Sequence, residues 1–318
     1  MSDAGSQVSS LGSFNIVINP GATLQANQPA LDAFNRAAAW WESYIGDPLT
    51  VYIDADLADR GNTGVIGQAS SVLLTGPFDL IRDAMVLDSQ DETEDTLNAF
   101  LPTSGQFSAI VPSGFSLDGN MNANKANFKA LGFTGLDAQF GASDAEITFN
   151  SQFSFDYDNS DGVSIGTVDF ETVAAHEIGH ALGYISVVDQ IDILLDQATT
   201  GAVAPRPLDL YRFENDTAND PTTTGEFTTF ARSLRPGVDA VTDYILNPLL
   251  SEGVEHRMST GAFTGDGRQA SHWKDDRLTG TLIGMMDPTL GQQIFPITDA
   301  DLRSFDLIGY EIAFIIPE

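Results

Sequence analysis

The stretch TVAAHEIGHALGYISVVD, Thr172–Asp189, carries the strongest pattern in this chain, H-E-x-x-H-x-x-G among apolar residues. On a helix, His176 and His180 are four positions apart and so lie one turn above each other on one face. Two imidazoles at this spacing can hold one zinc ion, with Glu177 beside it as a base. The sequence therefore predicts a buried helix that supplies two metal ligands and a proton acceptor.

A catalytic zinc site usually has three protein ligands and one open position. The residue three places after Gly183 is Ser186, which is not a zinc ligand of this kind. Two of the four histidines remain, His256 and His272, and either could be the third ligand. Asp189 is a further candidate, although an aspartate at this place could equally cap a helix. The residues alone leave these three alternatives open.

Periodic patterns before the motif predict both strands and helices. Alternating apolar residues indicate strands at Phe14–Pro20, Leu49–Leu57 and Ala145–Asp158, of which the last is the clearest. The spacing of apolar residues in Gln28–Tyr44 is typical of a helix, and the motif helix should begin at about Asp169. The part of the chain before the motif therefore combines a sheet with packed helices.

After Gly183 the pattern changes. One more helix is expected at Val187–Gln197, and a stretch rich in Pro, Thr and Gly follows to about Gly267. We expect an α+β fold with one catalytic domain in two lobes. Residues 1–183 should form the lobe with a mixed sheet and the motif helix, and residues 184–318 an irregular lobe with the third ligand.

The composition limits the classes of partner. The formal net charge is −31, with 45 acidic and 14 basic residues, which argues against nucleic acid and anionic membranes as partners. Cysteine is absent, which excludes disulfides and thiolate metal ligands. The start, MSDAGSQVSS, has no recognisable signal peptide. We expect a monomer that acts on a polypeptide substrate.

Two further motifs carry a family resemblance. His272 lies in QASHWKDD, and Met286 follows shortly after it in GMMDP. The combination resembles the metzincin zinc peptidases, in particular the leishmanolysin branch, where a long insertion precedes the third histidine and a methionine turn lies beneath the zinc. The resemblance implies that His176, His180 and His272 bind zinc and that Glu177 is the general base. It also implies that Met286 forms the apolar floor of the site.

The resemblance has three more implications. Met286 is preferred to Met285 for the methionine turn because it directly precedes Asp287. The segment ITDADLRSFDLIGYEI, residues 297–312, looks like the closing helix of such enzymes. HEIGHALG, SHWKD and MDPT together are similar to a group of secreted bacterial metalloproteases, which implies an extracellular zinc endopeptidase. In metzincins the strand before the motif helix, here Ala145–Phe155, is the sheet edge that pairs with an extended substrate.

An acidic loop raises the question of a second cation. Asp156, Asp158 and Asp161 in FDYDNSDGVS offer oxygen ligands at a spacing that suits calcium. A polar turn between a strand and a helix explains the same residues without an ion.

Two functions from other classes also fit a zincin scaffold. One is a catalytically idle surface or matrix binding protein, against which the intact Glu177 argues. The other is a zinc hydrolase of non-peptide amides, which would need a narrow, closed pocket instead of a long groove.

Overall fold

The structure, a computed structural model, describes residues 13–91, 96–215, 218–242, 256–290 and 293–313. Within them the strands are β1 Asn15–Pro20, β2 Thr50–Ala58, β3 Gly67–Ser71, β4 Leu73–Pro77, β5 Ala109–Ile110, β6 Ser116–Leu117, β7 Asn120–Asn124, β8 Ala145–Asn150, β9 Phe155–Asp156, β10 Val168–Asp169, β11 Ala202–Val203, β12 Arg212–Glu214, β13 Arg232–Ser233, β14 Ala240–Thr242 and β15 His256–Met258. The helices are α1 Ala22–Gln25, α2 Gln28–Glu42, α3 Phe78–Asp88, α4 Lys125–Ala130, α5 Leu136–Phe140, α6 Phe170–Leu182, α7 Val187–Asp196, α8 Thr224–Thr229, α9 Asp276–Thr279 and α10 Asp299–Leu307. The α+β class is confirmed. The first ten residues, considered above for a signal peptide, lie outside the described part.

A four-stranded mixed sheet, in the order β1-β2-β8-β3, carries the fold. β1, β2 and β8 are parallel, so that Ile53 of β2 lies between Ile18 and Ala145, whereas β3 runs antiparallel to β8. The prediction that Ala145–Phe155 forms the sheet edge is therefore wrong. β8 is an interior strand, and β3 is the edge strand on that side.

β8 is also shorter than its alternating pattern predicts, because Asn150 ends it. The buried Asn150 side chain donates to the carbonyls of Gly61 and Val65, at 3.0 and 3.1 Å. Its amide oxygen accepts the N–H groups of Arg60 and Gln152, both at 3.2 Å. These bonds turn the chain, and a separate short strand, β9, follows.

The motif helix α6 is packed on all sides. Every one of its residues except His180 is buried, as expected for a helix without a polar face. The Asp169 carboxylate caps its first turn by accepting the Thr172 N–H at 3.0 Å. Within the described residues, no single helix is long and apolar enough to cross a membrane. Together, α6 and α7 have the length and composition of a membrane span, but the two helices are bent by 95° at the break between them.

The two predicted lobes share one large buried cluster of apolar residues, which extends from Phe14 to Tyr310. Trp41 of α2 packs edge-on against Phe305 of α10, with ring centroids 4.7 Å apart. Trp41 also donates its indole N–H to the carbonyl of Ala175 in α6, at 2.9 Å. The closing helix is thus held against the same helix that carries the motif.

The second half of the chain is less irregular than its composition predicts. Strands β12, β14 and β15 form a small antiparallel sheet that the sequence patterns did not indicate. Within the described residues each of these strands has three residues, a length at which an alternating pattern does not stand out. The Arg232 guanidinium lies over the rings of Phe213 and Phe227, at 4.5 and 4.8 Å.

A buried carboxyl beneath the last described segment should make stability depend on pH. Asp47 is 3% exposed and accepts the Glu311 N–H at 2.9 Å. Burial raises the pKa of Asp47 from 3.8 to about 8, so between these values the folded chain holds a proton that the unfolded chain releases. The free energy of unfolding should therefore fall as pH rises through this window.

We expect Asp47→Asn to remove this dependence and to be more stable than the wild type by about 1 kcal/mol or more at pH 8. At pH 4 the two proteins should unfold at nearly the same urea concentration. Urea unfolding across this range measures the difference, with Asp32→Asn, on the exposed face of α2, as the control. A stability difference that stays constant from pH 4 to pH 8 would contradict the expectation.

Candidate metal centre

Three histidines from distant parts of the chain meet in space. The Nε2 atoms of His176, His180 and His272 lie 3.1 Å from one another in each of the three pairs. Zinc–nitrogen bonds of about 2.0–2.1 Å in a tetrahedral shell place ligand nitrogens roughly 3.3 Å apart. The three atoms therefore have the spacing of one face of such a shell.

The opposite nitrogen of each ring bonds to a backbone carbonyl. The acceptors for His176, His180 and His272 are the carbonyls of Met285, Tyr184 and Gln269, at 2.9, 2.8 and 3.1 Å. A carbonyl can only accept, so each Nδ1 carries the hydrogen and each neutral ring keeps a lone pair on Nε2. This second set of bonds orients the rings as it does in known metal sites.

Burial keeps these imidazoles neutral. It lowers the pKa of His176 to about 3 and that of His180 to about 4, and the pKa of His272 also lies well below its usual range. Three lone pairs thus face one another at 3.1 Å with no proton to share. Three histidines that only fill a core would not be arranged in this way, whereas a metal ion between them would satisfy all three.

Glu177 lies in the same cleft, between α6 and the edge strand β3. Burial raises the pKa of Glu177 to about 8, and a hydrogen bond from the Ala69 N–H acts against this shift. A Cβ built on Gly67 would stand 2.7 Å from Glu177 Oε1. Gly67 therefore leaves the space that the carboxylate occupies.

The two methionines of the GMMDP motif have different contacts. Met286 is fully buried, and its sulfur lies against α6, 2.4 Å from where a Cβ on Gly179 would be. Gly179 lies between the two motif histidines in the sequence, so Met286 packs against the part of α6 that carries them. Met285 contributes its backbone, because its carbonyl accepts from His176.

Asp301, in the first turn of α10, joins these parts together. Its buried carboxylate accepts the Trp273 indole N–H at 2.8 Å and the N–H groups of Met285 and Met286 at 2.7 and 3.2 Å. It also accepts the Thr298 N–H, at 2.8 Å, in a capping box. The sequence patterns did not indicate the bonds of Asp301 to Trp273 and the methionines, although Thr298 and Asp301 are spaced as a capping box, which marks the start of a helix.

The other two candidates for the third ligand lie elsewhere. His256, on β15, packs against the Trp273 ring with centroids 5.6 Å apart. Asp189, on α7, accepts the N–H groups of Ala270 and Ser271 at 2.5 and 3.0 Å. Neither belongs to the histidine group.

The acidic loop does not assemble the predicted calcium ligands. Asp156 accepts the N–H groups of Asp158 and Ser164, at 3.0 and 2.8 Å, and Asp158 accepts from Ser160. These bonds are those of a polar turn. Over the described ranges, two groups of three side chains are close enough to hold one ion. They are His176, His180 and His272, and Asp275, Asp276 and Asp287.

Two of the three carboxylates in that second group, those of Asp275 and Asp287, are engaged by other groups. Asp275 pairs with Arg268 at 2.6 Å and accepts the Thr289 hydroxyl at 2.8 Å. Asp287 accepts the N–H groups of Asp276 and Thr289, at 2.8 and 2.9 Å. The cluster is thus explained by local bonds that shape the turn after His272.

The histidine group opens into a cleft of about 980 Å³. β3 forms one wall, and α7 with residues from the 262–272 segment forms another. Exposed apolar side chains at the rim are Val65, Leu73, Ile193 and Phe263. The chain was compared with protein-family models, curated proteins and solved structures, and no match was found.

Proposed function

We propose that this protein is a zinc-dependent endopeptidase of the metzincin type, with a centre arranged as in leishmanolysin. The observation that carries the proposal is the meeting of three neutral imidazoles beside a buried glutamate in an open cleft. His176, His180 and His272 are the ligands, Glu177 is the general base, and Met286 is the floor.

The donor set favours zinc among the common metals. Three imidazole nitrogens without a carboxylate or a thiolate suit zinc better than calcium or magnesium, which prefer oxygen. A zinc ion held by these three protein ligands would keep a further ligand position for water or substrate. An open position of this kind distinguishes a catalytic zinc site from a structural one.

A zinc ion in this place would act as a Lewis acid that makes water a stronger nucleophile and polarises a carbonyl group. Glu177 takes a proton from the attacking water and passes it to the leaving amine nitrogen. The Ala69 amide holds the carboxylate in place for both transfers. A cation nearby would lower the pKa of Glu177 from its raised value and so keep the base ionised at neutral pH.

The edge strand supports a polypeptide substrate. The Ile66 carbonyl and the Val72 N–H bond to the chain next to them, at Asn150 and Asp144. The backbone N–H and C=O groups of the alternate residues Gly67, Ala69 and Ser71 therefore point away from β8. Apart from the Ala69 N–H, which bonds to Glu177, their N–H and C=O groups can add an extended peptide as a further strand. A cleft of about 980 Å³ also suits several residues of a chain better than a small amide.

We also propose that the enzyme is a monomer secreted by a bacterium, which the acidic, cysteine-free composition fits. Polypeptides are its only proposed partners, and calcium at Asp156, Asp158 and Asp161 is not part of it.

The first test is metal content together with casein hydrolysis. We expect one zinc per chain by elemental analysis. Cleavage should be lost with 1,10-phenanthroline, because the chelator removes the metal and with it the open position that the water needs. Cleavage should return when zinc is added back. Zinc without any cleavage would instead favour the idle binding protein. A purified protein that takes up no zinc would contradict the centre itself.

A further inference from the structure

We infer that Asp189 is a positioning residue for the third ligand, and that its carboxylate sets the affinity of the centre for its metal through the backbone that carries His272. The inference rests on the metal centre proposed above. It assigns a role to a residue that touches neither the metal position nor any of the three imidazoles.

His272 needs such support because it lies on a loop and not on a helix. Its ring is oriented by the Gln269 carbonyl, which belongs to the same loop. The ring can therefore point at the other two ligands only while residues 269–272 keep their shape. His176 and His180, in contrast, are fixed by the rigid backbone of α6.

Asp189 fixes this loop at the residues directly before the ligand. Its two carboxylate oxygens accept the Ala270 N–H at 2.5 Å, the Ser271 N–H at 3.0 Å and the Ser271 hydroxyl. Ser271 Oγ in turn accepts the Ser186 N–H, at 2.8 Å. The loop is thus joined to the start of α7 by an unbroken set of bonds.

The position of α7 gives these bonds their importance. α7 begins at Val187, and four residues separate it from the end of α6 at Leu182. Asp189, in its first turn, therefore connects the third ligand to the helix next to the one that carries the first two. Asp189 and Ser271 are 82 positions apart in the chain, so their contact joins two distant segments. The Ser259 N–H, which bonds to the His272 carbonyl at 3.0 Å, holds the loop from β15.

The chain contains a matched control one turn further along the same helix. Asp192, which is buried whereas Asp189 is half-buried, accepts the Phe263 N–H at 2.8 Å, the Thr264 N–H at 2.9 Å and the Thr264 hydroxyl at 2.5 Å. The two aspartates thus make the same set of three bonds to the same long segment. They differ in that Asp189 holds the residue next to His272, whereas Asp192 holds residues eight and nine positions before it.

An asparagine at either position keeps the size of the side chain but replaces one acceptor oxygen with an N–H donor. At least one of the three bonds is then lost, and the new donor faces a backbone N–H. Both substitutions should destabilise the metal-free protein to a similar degree. Only Asp189→Asn should loosen Ala270 and Ser271, the residues directly before the metal ligand His272.

The experiment compares the wild type, Asp189→Asn and Asp192→Asn as metal-free proteins. Zinc affinity is measured by competition with a chromophoric chelator, the geometry of the centre by the visible absorption of bound Co²⁺, and stability by urea unfolding. We expect Asp189→Asn to lose affinity for zinc by about 10–100-fold, as for other residues that orient metal ligands, and to change the Co²⁺ spectrum. Asp192→Asn should keep both at the wild-type level.

Two results would overturn the inference without touching the proposed function. One is wild-type zinc affinity in Asp189→Asn, which would make its bonds purely structural. The other is an equal loss in Asp192→Asn, which would make the whole segment responsible. If Asp189→Asn does not fold, Ser271→Ala replaces it and should weaken zinc binding in the same direction. A wild type that binds no zinc would remove the centre and this inference together.

Discussion

Glu177→Gln should keep its zinc, and its rate of casein hydrolysis should fall by roughly 10²–10⁴-fold, the range typical for removal of a general acid–base group. Glutamine has nearly the same shape, and its side-chain oxygen can still accept the Ala69 N–H. It cannot take a proton from water, because its amide has no basic oxygen at neutral pH. The substitution therefore separates metal binding, which should persist, from turnover, which should not.

Elemental analysis and initial rates on the same preparation measure the two properties. Glu171→Gln is the matched control, because Glu171 lies on the same helix and pairs with Arg36 at 2.8 Å, away from the histidine group. It should retain both zinc and activity. If Glu177→Gln cleaved casein at the wild-type rate, another group would have to be the base, and the mechanism proposed here would fail.

His272→Ala should lose both zinc and activity, since it removes one of three ligands whose nitrogens lie 3.1 Å apart. The loss in zinc affinity should exceed the 10–100-fold that is typical of residues behind the ligands. His176 and His180 would remain as a two-ligand pair on one helix face, which holds zinc weakly. Competition with a chromophoric chelator measures the affinity, and casein cleavage the activity.

His256→Ala is the control for His272→Ala, since it removes the other histidine that follows the motif helix. His256 packs against Trp273, so some stability should be lost, but the zinc stoichiometry should stay at one per chain. The opposite result, with His256→Ala losing zinc and His272→Ala retaining it, would show that the third ligand was assigned to the wrong residue.

The parts of the fold that could be predicted are those with a local cause. The helix at Gln28–Glu42 and the strand at Thr50–Ala58 follow from apolar periodicity, and α6 begins next to Asp169 because that residue caps it. His176, Glu177 and His180 were identified for the same reason, since their spacing alone puts them together. Each of these features is encoded within about four turns of helix or one strand.

The features that could not be predicted depend on distant contacts. The strand order places β8 inside and β3 at the edge, and no pattern within either strand encodes that order. The end of β8 follows from four bonds to Asn150, most of which come from another loop. His272 was chosen over His256 by the resemblance of its motif, because the spacing of the two candidates did not distinguish them. Asp301 and Asp189 act through bonds to residues far along the chain.

The bonds of Asp301 have a consequence for the order in which the protein is made. A growing chain presents His176 and His180 early, but the carboxylate that fixes Met285 and Met286 is added only with α10. Domains generally fold as units, and the two lobes share one buried core, so the centre is complete only after this last helix has been added. For an endopeptidase this order provides a delay. In the enzyme proposed above, the unfinished chain would have no complete centre with which to cut itself or its neighbours until its last helix is in place.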